Sequence, residues 1–118
     1  MKAREMKYNE KTIELLDGKH KIAIDFNAFE ELGNIYGDMQ NAFSKFTGGQ
    51  IKFNDIKNFL CAGINSCIED TEDKYTPFEI GKLLDLSKIE KYMDVLMELM
   101  NNAMPTLKKV DEDKDEKN

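Results

Sequence analysis

The stretch that decides the fold class is Lys11-Thr12-Ile13-Glu14-Leu15-Leu16-Asp17-Gly18-Lys19-His20-Lys21-Ile22-Ala23-Ile24-Asp25-Phe26. Apolar and polar residues alternate on both sides of Asp17-Gly18, the dipeptide favoured at the centre of a two-residue type I′ turn. Lys11–Phe26 therefore reads as a β-hairpin. With Asp17 and Gly18 as the central turn residues, Leu16 faces Lys19, Leu15 faces His20 and Ile13 faces Ile22. One face then carries Ile13, Leu15, Ile22 and Ile24, with His20 near the turn. A two-stranded hairpin is marginal alone, so other elements must cover that face.

Helices follow. Asn27 is a candidate cap for a helix over 27–36, which carries Phe29, Leu32 and Tyr36 on one side and ends at Gly37. A short helix over 38–46 repeats the period with Met39, Phe43 and Phe46. Asn54 is placed to cap a helix over 55–68, where Ile56, Phe59, Leu60, Gly63, Ile64, Cys67 and Ile68 approximate the i, i+3, i+4, i+7 pattern. Gly63 costs about 1 kcal/mol against Ala in a helix interior, a cost that close helix–helix approach would justify. Thr76-Pro77-Phe78-Glu79 combines a capping box with Pro at the first helical position, starting a helix over 77–85. Ser87-Lys88-Ile89-Glu90 reads as a second capping box, for a helix over 88–103 that stops before Pro105. The reading is mainly α (α+β): an N-terminal β-hairpin packed against four to five α-helices. Residues 11–105 form one domain, 1–10 a flexible basic arm, and 106–118 an acidic tail expected to be disordered, since nothing after Val110 is apolar.

The chain has 118 residues with 17 Lys and Arg against 23 Asp and Glu, a net charge of -6. Residues 1–24 carry +2 and residues 25–104 carry -7. Duplex binding draws most of its affinity from a basic surface, so this acidic body argues against nucleic acid as a partner. No apolar run is long enough to span a bilayer, and no secretory pattern opens the chain. With two cysteines there is no disulfide framework, and an intracellular protein is expected.

Candidate chemistry is sparse. His20 is the single histidine and lies beside a tight turn without a nucleophile pattern around it. Cys61 and Cys67 are six apart on one helix and point about 120° apart, which prevents them sharing a metal; both read as small core residues. Asp111, Asp113 and Asp115 begin like a calcium loop, but the glycine position holds Glu116 and no closing Glu follows. Gly48-Gly49-Gln50 spells the tripeptide of peptide-release factors, in a chain lacking the basic surface of a ribosome-binding protein. Neither an enzyme, a cofactor nor a metal is expected. The last helix is the most informative element. Ile89, Tyr92, Met93, Val95, Leu96, Met97, Leu99, Met100, Ala103 and Met104 form an apolar arc wider than one core-facing stripe. Either two neighbours bury it within the monomer, or Met93, Met97, Met100 and Met104 line an adaptable surface for a partner.

Three blocks in order resemble the tail assembly chaperones of long-tailed bacteriophages. The first is the hairpin leading into Asp25-Phe26-Asn27-Ala28-Phe29-Glu30-Glu31-Leu32, closed by Tyr36-Gly37. The second is Leu60-Cys61-Ala62-Gly63-Ile64. The third is Thr76-Pro77-Phe78-Glu79-Ile80-Gly81-Lys82-Leu83-Leu84-Asp85, followed by a last helix and a proline. Two positions depart from the family pattern: an aromatic often stands where this chain has Cys61, and a leucine where it has Ile64. The resemblance implies a short, non-frameshifted chaperone form. Such a protein binds the tape measure protein, keeps it soluble and helps recruit tail tube protein. It implies a protein of the host bacterial cytoplasm, absent from the mature virion, able to form a homo-oligomer, with no nucleic-acid or membrane partner. A structural tail protein kept in the virion, or a small module regulating a host protein, are the competing expectations.

Overall fold

A computed structural model describes the backbone of residues 10–49 and 51–116, with side chains described except at 47 and 104–116. The expected N-terminal arm falls almost wholly outside the described residues. Strand β1, Glu10–Leu15, pairs antiparallel with β2, Gly18–Ala23.

The register differs from the expected one by two residues. Leu15 faces Gly18, Ile13 faces His20 and Lys11 faces Ile22, so Leu16 and Asp17 form the turn. A type I′ turn there would need positive φ at both, and no residue other than glycine has one; Gly18, at φ 129°, absorbs it instead. Two interactions select this turn. The Leu16 amide donates to the Leu83 carbonyl at 2.7 Å, and Asp17 Oδ1 lies 2.7 Å from His20 Nε2. An even shift preserves sidedness, and Ile13, Leu15, Ile22 and Ile24 are all buried.

Five helices follow: α1 Phe26–Tyr36, α2 Met39–Thr47, α3 Phe53–Asn65, α4 Pro77–Leu83 and α5 Ile89–Glu116. Short 3-10 turns occupy Thr71–Asp73 and Leu86–Lys88. The mainly α fold with an N-terminal hairpin is thus as expected, while several helix ends differ. Asp25, not Asn27, caps α1 by accepting from the Ala28 amide. At α3 the reach is reversed: Asp55, inside the first turn, accepts from the Lys52 amide at 3.0 Å, so the helix starts before Asn54. It ends at Asn65 because Ser66 Oγ turns back to the carbonyls of Gly63 and Ala23. The Thr76–Glu79 capping box forms in both directions, as read. Ser87 does not cap; its hydroxyl and amide both donate to Asp85.

The largest boundary difference is at the C-terminal end. The backbone of α5 is helical through Pro105 to Glu116, past the end expected at 103. Proline in a helix interior removes one hydrogen bond and costs roughly 3 kcal/mol. Leu107, Lys108, Lys109 and Glu112 on its far side are good helix formers.

The core gathers around α3. Phe59, Leu60, Cys61, Ala62 and Ile64 are fully buried, meeting Ile22 and Ile24 of the hairpin, Leu32 of α1, Ile80 of α4 and Leu96 and Leu99 of α5. Gly63 is explained by a strand, not by a helix. A Cβ there would sit 2.6 Å from Ile22 Cγ1 and 3.2 Å from the Ala23 carbonyl oxygen, so its absence lets α3 lie directly on β2.

Candidate protein-binding surface

Helix α5 buries one stripe: Tyr92, Leu96, Leu99, Met100 and Ala103. At 100° per residue these positions span a single face. The wide apolar arc of the sequence therefore divides into this stripe and two flanks.

The flank toward β1 is polar and tied down. Tyr92 reaches across: its hydroxyl donates to the Glu14 carbonyl at 3.1 Å and accepts the Asp85 amide at 3.0 Å. Lys88 Nζ pairs with Glu14 Oε1 at 3.0 Å, and Lys11 pairs with Glu98. The Lys88 ammonium holds the Glu14 carboxyl below its ordinary range, and Glu14 raises Lys88 in return. Between the two elements runs a groove of about 300 Å³, floored by Ile13, Tyr92 and Val95 and rimmed by Lys19, Lys88 and Lys91. Among the described residues neither Lys19 nor Lys91 makes an ion pair.

The opposite flank carries the methionines, and they do not share one fate. Met97 is 43% exposed. Met93, one turn earlier, is half-buried against the core. Met100 is 3% exposed and belongs to the core stripe; at that position the buried alternative is correct. The side chain of Met104 lies outside the described ones. Among the described side chains, the row read from the sequence thus leaves Met97 with Met93 beside it outside the stripe, on a helix that turns Met100 inward. Elsewhere on the molecule Leu16, Phe26, Phe53, Phe78 and Leu86 are each more than 60% exposed.

The other candidates are absorbed by the fold. His20 stacks its ring edgewise on Tyr75 at 5.7 Å and binds Asp17, so it fixes the turn against the loop before α4. Cys61 donates to the Tyr75 carbonyl. Burial first, then the Glu31 charge, pushes its thiol up to about 12, and burial also raises Cys67. Neither thiol carries thiolate character at neutral pH. No group of three His, Cys, Asp or Glu side chains among the described residues could hold a metal ion, and no helix of the described residues is long and apolar enough to cross a membrane. Gln50, the last residue of the Gly-Gly-Gln motif, lies outside the described residues, as do the side chains of Asp111, Asp113 and Asp115.

Two polar clusters that the sequence pattern gave no reason to expect stabilise this arrangement. Buried Asn65 pairs with Tyr75 through both backbone groups, its amide donating to the carbonyl at 2.8 Å and its oxygen accepting the N–H at 2.8 Å. Buried Asp55 accepts from the Tyr36 hydroxyl at 2.5 Å, and Asn58 donates to that hydroxyl. The basic groove was also missed, since it needs β1 beside α5. Its trace in the sequence is Lys88, Lys91 and Val95 at i, i+3, i+7. Comparison of the chain with known protein families, with characterised proteins and with solved structures finds no match.

Proposed function

We propose that this protein is a tail assembly chaperone of a long-tailed bacteriophage, acting without catalysis in the host bacterial cytoplasm. It binds the tape measure protein before the tail tube polymerises, keeps it soluble, helps bring in tail tube protein, and leaves before the virion matures. The three ordered motif blocks suggest the family. The observation that carries the reading physically is the Met93–Met97 flank of α5. It is apolar, lies beside rather than inside the core stripe, and ends in an exposed methionine.

A tape measure chain presents repeated apolar helix faces before assembly. A methionine-bearing helix flank suits such a client, because the thioether chain is flexible and polarisable and accepts varied apolar partners. The acidic body keeps a loaded complex from aggregating by charge repulsion. Neither nucleic acid nor membrane is needed for the role. A tube protein retained in the virion is the weaker reading, because ring closure needs long paired strands and the described residues hold one six-residue pair.

Co-expression with the tape measure protein of the same phage tests the proposal. A soluble complex with several chaperone copies per client, measured by size-exclusion chromatography with light scattering, is the expected result. An insoluble client beside unbound, monodisperse protein would overturn it and favour a module that binds a folded host partner.

A further inference from the structure

The groove beside the start of α5 and the far end of that helix carry opposite charge. At its start, Lys88 and Lys91 join Lys19 of β2 around the groove beside β1, three lysines against the single carboxylate of Glu14. Glu14 is bonded to Lys88 and acts on Lys19 and Lys91 only at longer range, and neither of these two lysines makes an ion pair among the described residues. At the other end, Asp111, Glu112, Asp113, Asp115 and Glu116 occupy the last turns, with Lys114 among them. Acids are poorly placed there. The C-terminal end of a helix carries the negative pole of the macrodipole and favours cations.

The same helix keeps these ends apart. From Val95 at the groove to Asp111 is 16 residues, about 24 Å at 1.5 Å per residue. While α5 stays helical, the acidic turns cannot fold back onto the groove of their own chain. A second copy has no such restriction. We propose that the acidic end of α5 of one molecule seats in the lysine-rimmed groove at the start of α5 of the next. The contact is heterologous: each molecule offers one groove and one acidic end, and so can add a neighbour on both sides. It pairs Lys19 and Lys91 with carboxylates and supplies cations where the helix dipole wants them. The Met93–Met97 flank lies on the other side of α5, so this association is independent of client binding.

Two variants make the test specific. Truncation after Val110 removes the acidic end and leaves the groove. Lys19→Glu with Lys91→Glu reverses the groove and leaves the acidic end; neither lysine makes an ion pair among the described residues. The readout is mass by light scattering as concentration rises, at about 0.1 M and about 1 M salt, where the Debye length is about 10 Å and about 3 Å. The full chain should grow beyond its 13.6 kDa at low salt and return to it at high salt. Each variant alone should remain a monomer. Mixed, the two should form one heterodimer that grows no further, since the truncated form provides a groove and the reversed form an acidic end. A full chain that stays monomeric at low salt would sink the proposal. So would a truncated form that associates as well as the full chain. A salt-dependent compaction without any change in mass would assign the acidic end to its own groove and equally overturn the intermolecular contact.

Discussion

Helices α3 and α5 are both amphipathic and both touch the hairpin, yet they meet the rest of the molecule in different ways. Helix α3 is enclosed. Beyond Phe53 at its first position, its apolar side chains are buried, its one glycine is in direct contact with β2, and its buried polar groups Asp55, Asn58 and Asn65 each have named partners. Helix α5 gives one stripe to the core and keeps two flanks outside it, one lysine-rimmed and one bearing Met97. Where every buried polar atom is paired, a single conformation is enforced, because leaving one unpaired costs about 1–3 kcal/mol. Where a helix flank is left outside the core, stability does not constrain it and binding can. The difference separates the part of this sequence that specifies the fold from the part free to serve a partner.

The sharpest attack on the enclosed side is Phe59→Ala. Phe59 is fully buried and packs its ring on Phe46 at 4.5 Å and Tyr36 at 5.8 Å between centroids. The loss should be about 3–5 kcal/mol, out of a total stability of roughly 5–15 kcal/mol, read from the midpoint of urea unfolding. A cost below about 1 kcal/mol, the scale of a surface substitution, would mean that α3 is not the centre of the molecule. Asn65→Ala comes next. It strands the N–H of Tyr75 and leaves its C=O with only the weak Cys61 thiol as donor, and should cost about 1–3 kcal/mol. It should also speed proteolysis and amide exchange in the loop from Glu69 to Tyr75, while leaving α5 protected.

Gly63→Ala pits two effects of known sign against each other. Alanine gains about 1 kcal/mol of helix propensity, but the new methyl meets Ile22 and the Ala23 carbonyl oxygen, and overpacking of this kind costs about 1–3 kcal/mol. Net destabilisation is expected. Ile22→Ala removes the atoms that clash, so the double variant should cost less than the two single changes added together. Additive costs would show that the contact does not set the position of α3 on the hairpin.

These sites mark how far the sequence could be read. The hairpin and its buried face were legible, because alternation fixes sidedness and a register error of two preserves it. The turn was not, because the Leu16–Leu83 bond that selects it joins residues far apart in sequence. Thr76-Pro77 located the start of α4 because a capping box is a local signal, and it forms as read. Pro105 misled in the other direction: the helical backbone continues past this local breaker signal to Glu116. On α5 the sequence showed how wide the apolar arc is but not how it divides. Met100 and Met97 are three residues apart with the same side chain, and only the position of β1 and α3 around the helix decides that one is buried and the other exposed. Asn65 carried no signal at all, since its partner is the backbone of Tyr75.

The Tyr36–Asp55 contact gives the enclosed side a pH signature. Burial, reinforced by Asp55, pushes the Tyr36 phenol up from 10 to about 12. The folded state thus favours the neutral phenol. Its contribution is complete below pH 10 and is lost as pH rises from there toward 12. Cys61 is displaced in the same direction, from 9 to about 12, and burial also raises Cys67 and Tyr75, so alkaline destabilisation of the parent has more than one source. Tyr36→Phe should lower stability at pH 7 by removing the bond to Asp55, yet fall less steeply than the parent between pH 10 and 12. Parallel curves for the two proteins would remove Tyr36 as a cause and leave the two thiols and Tyr75.

Met97→Glu should have the smallest effect on the fold and the most informative one on function. The side chain is 43% exposed, and substitutions at exposed positions without special contacts usually stay within about 0.5 kcal/mol. Unchanged thermal unfolding is expected, together with loss of client solubilisation on co-expression, because a carboxylate would have to be desolvated against the client's apolar face. Met100→Glu is the matched control, three residues along and inside the core stripe, where the same charge should unfold the protein. If both variants unfold, the Met93–Met97 flank is core and the contrast between α3 and α5 fails. If Met97→Glu folds and still carries its client, the flank is free but idle, and the binding surface must be sought among the exposed Leu16, Phe26, Phe53, Phe78 and Leu86.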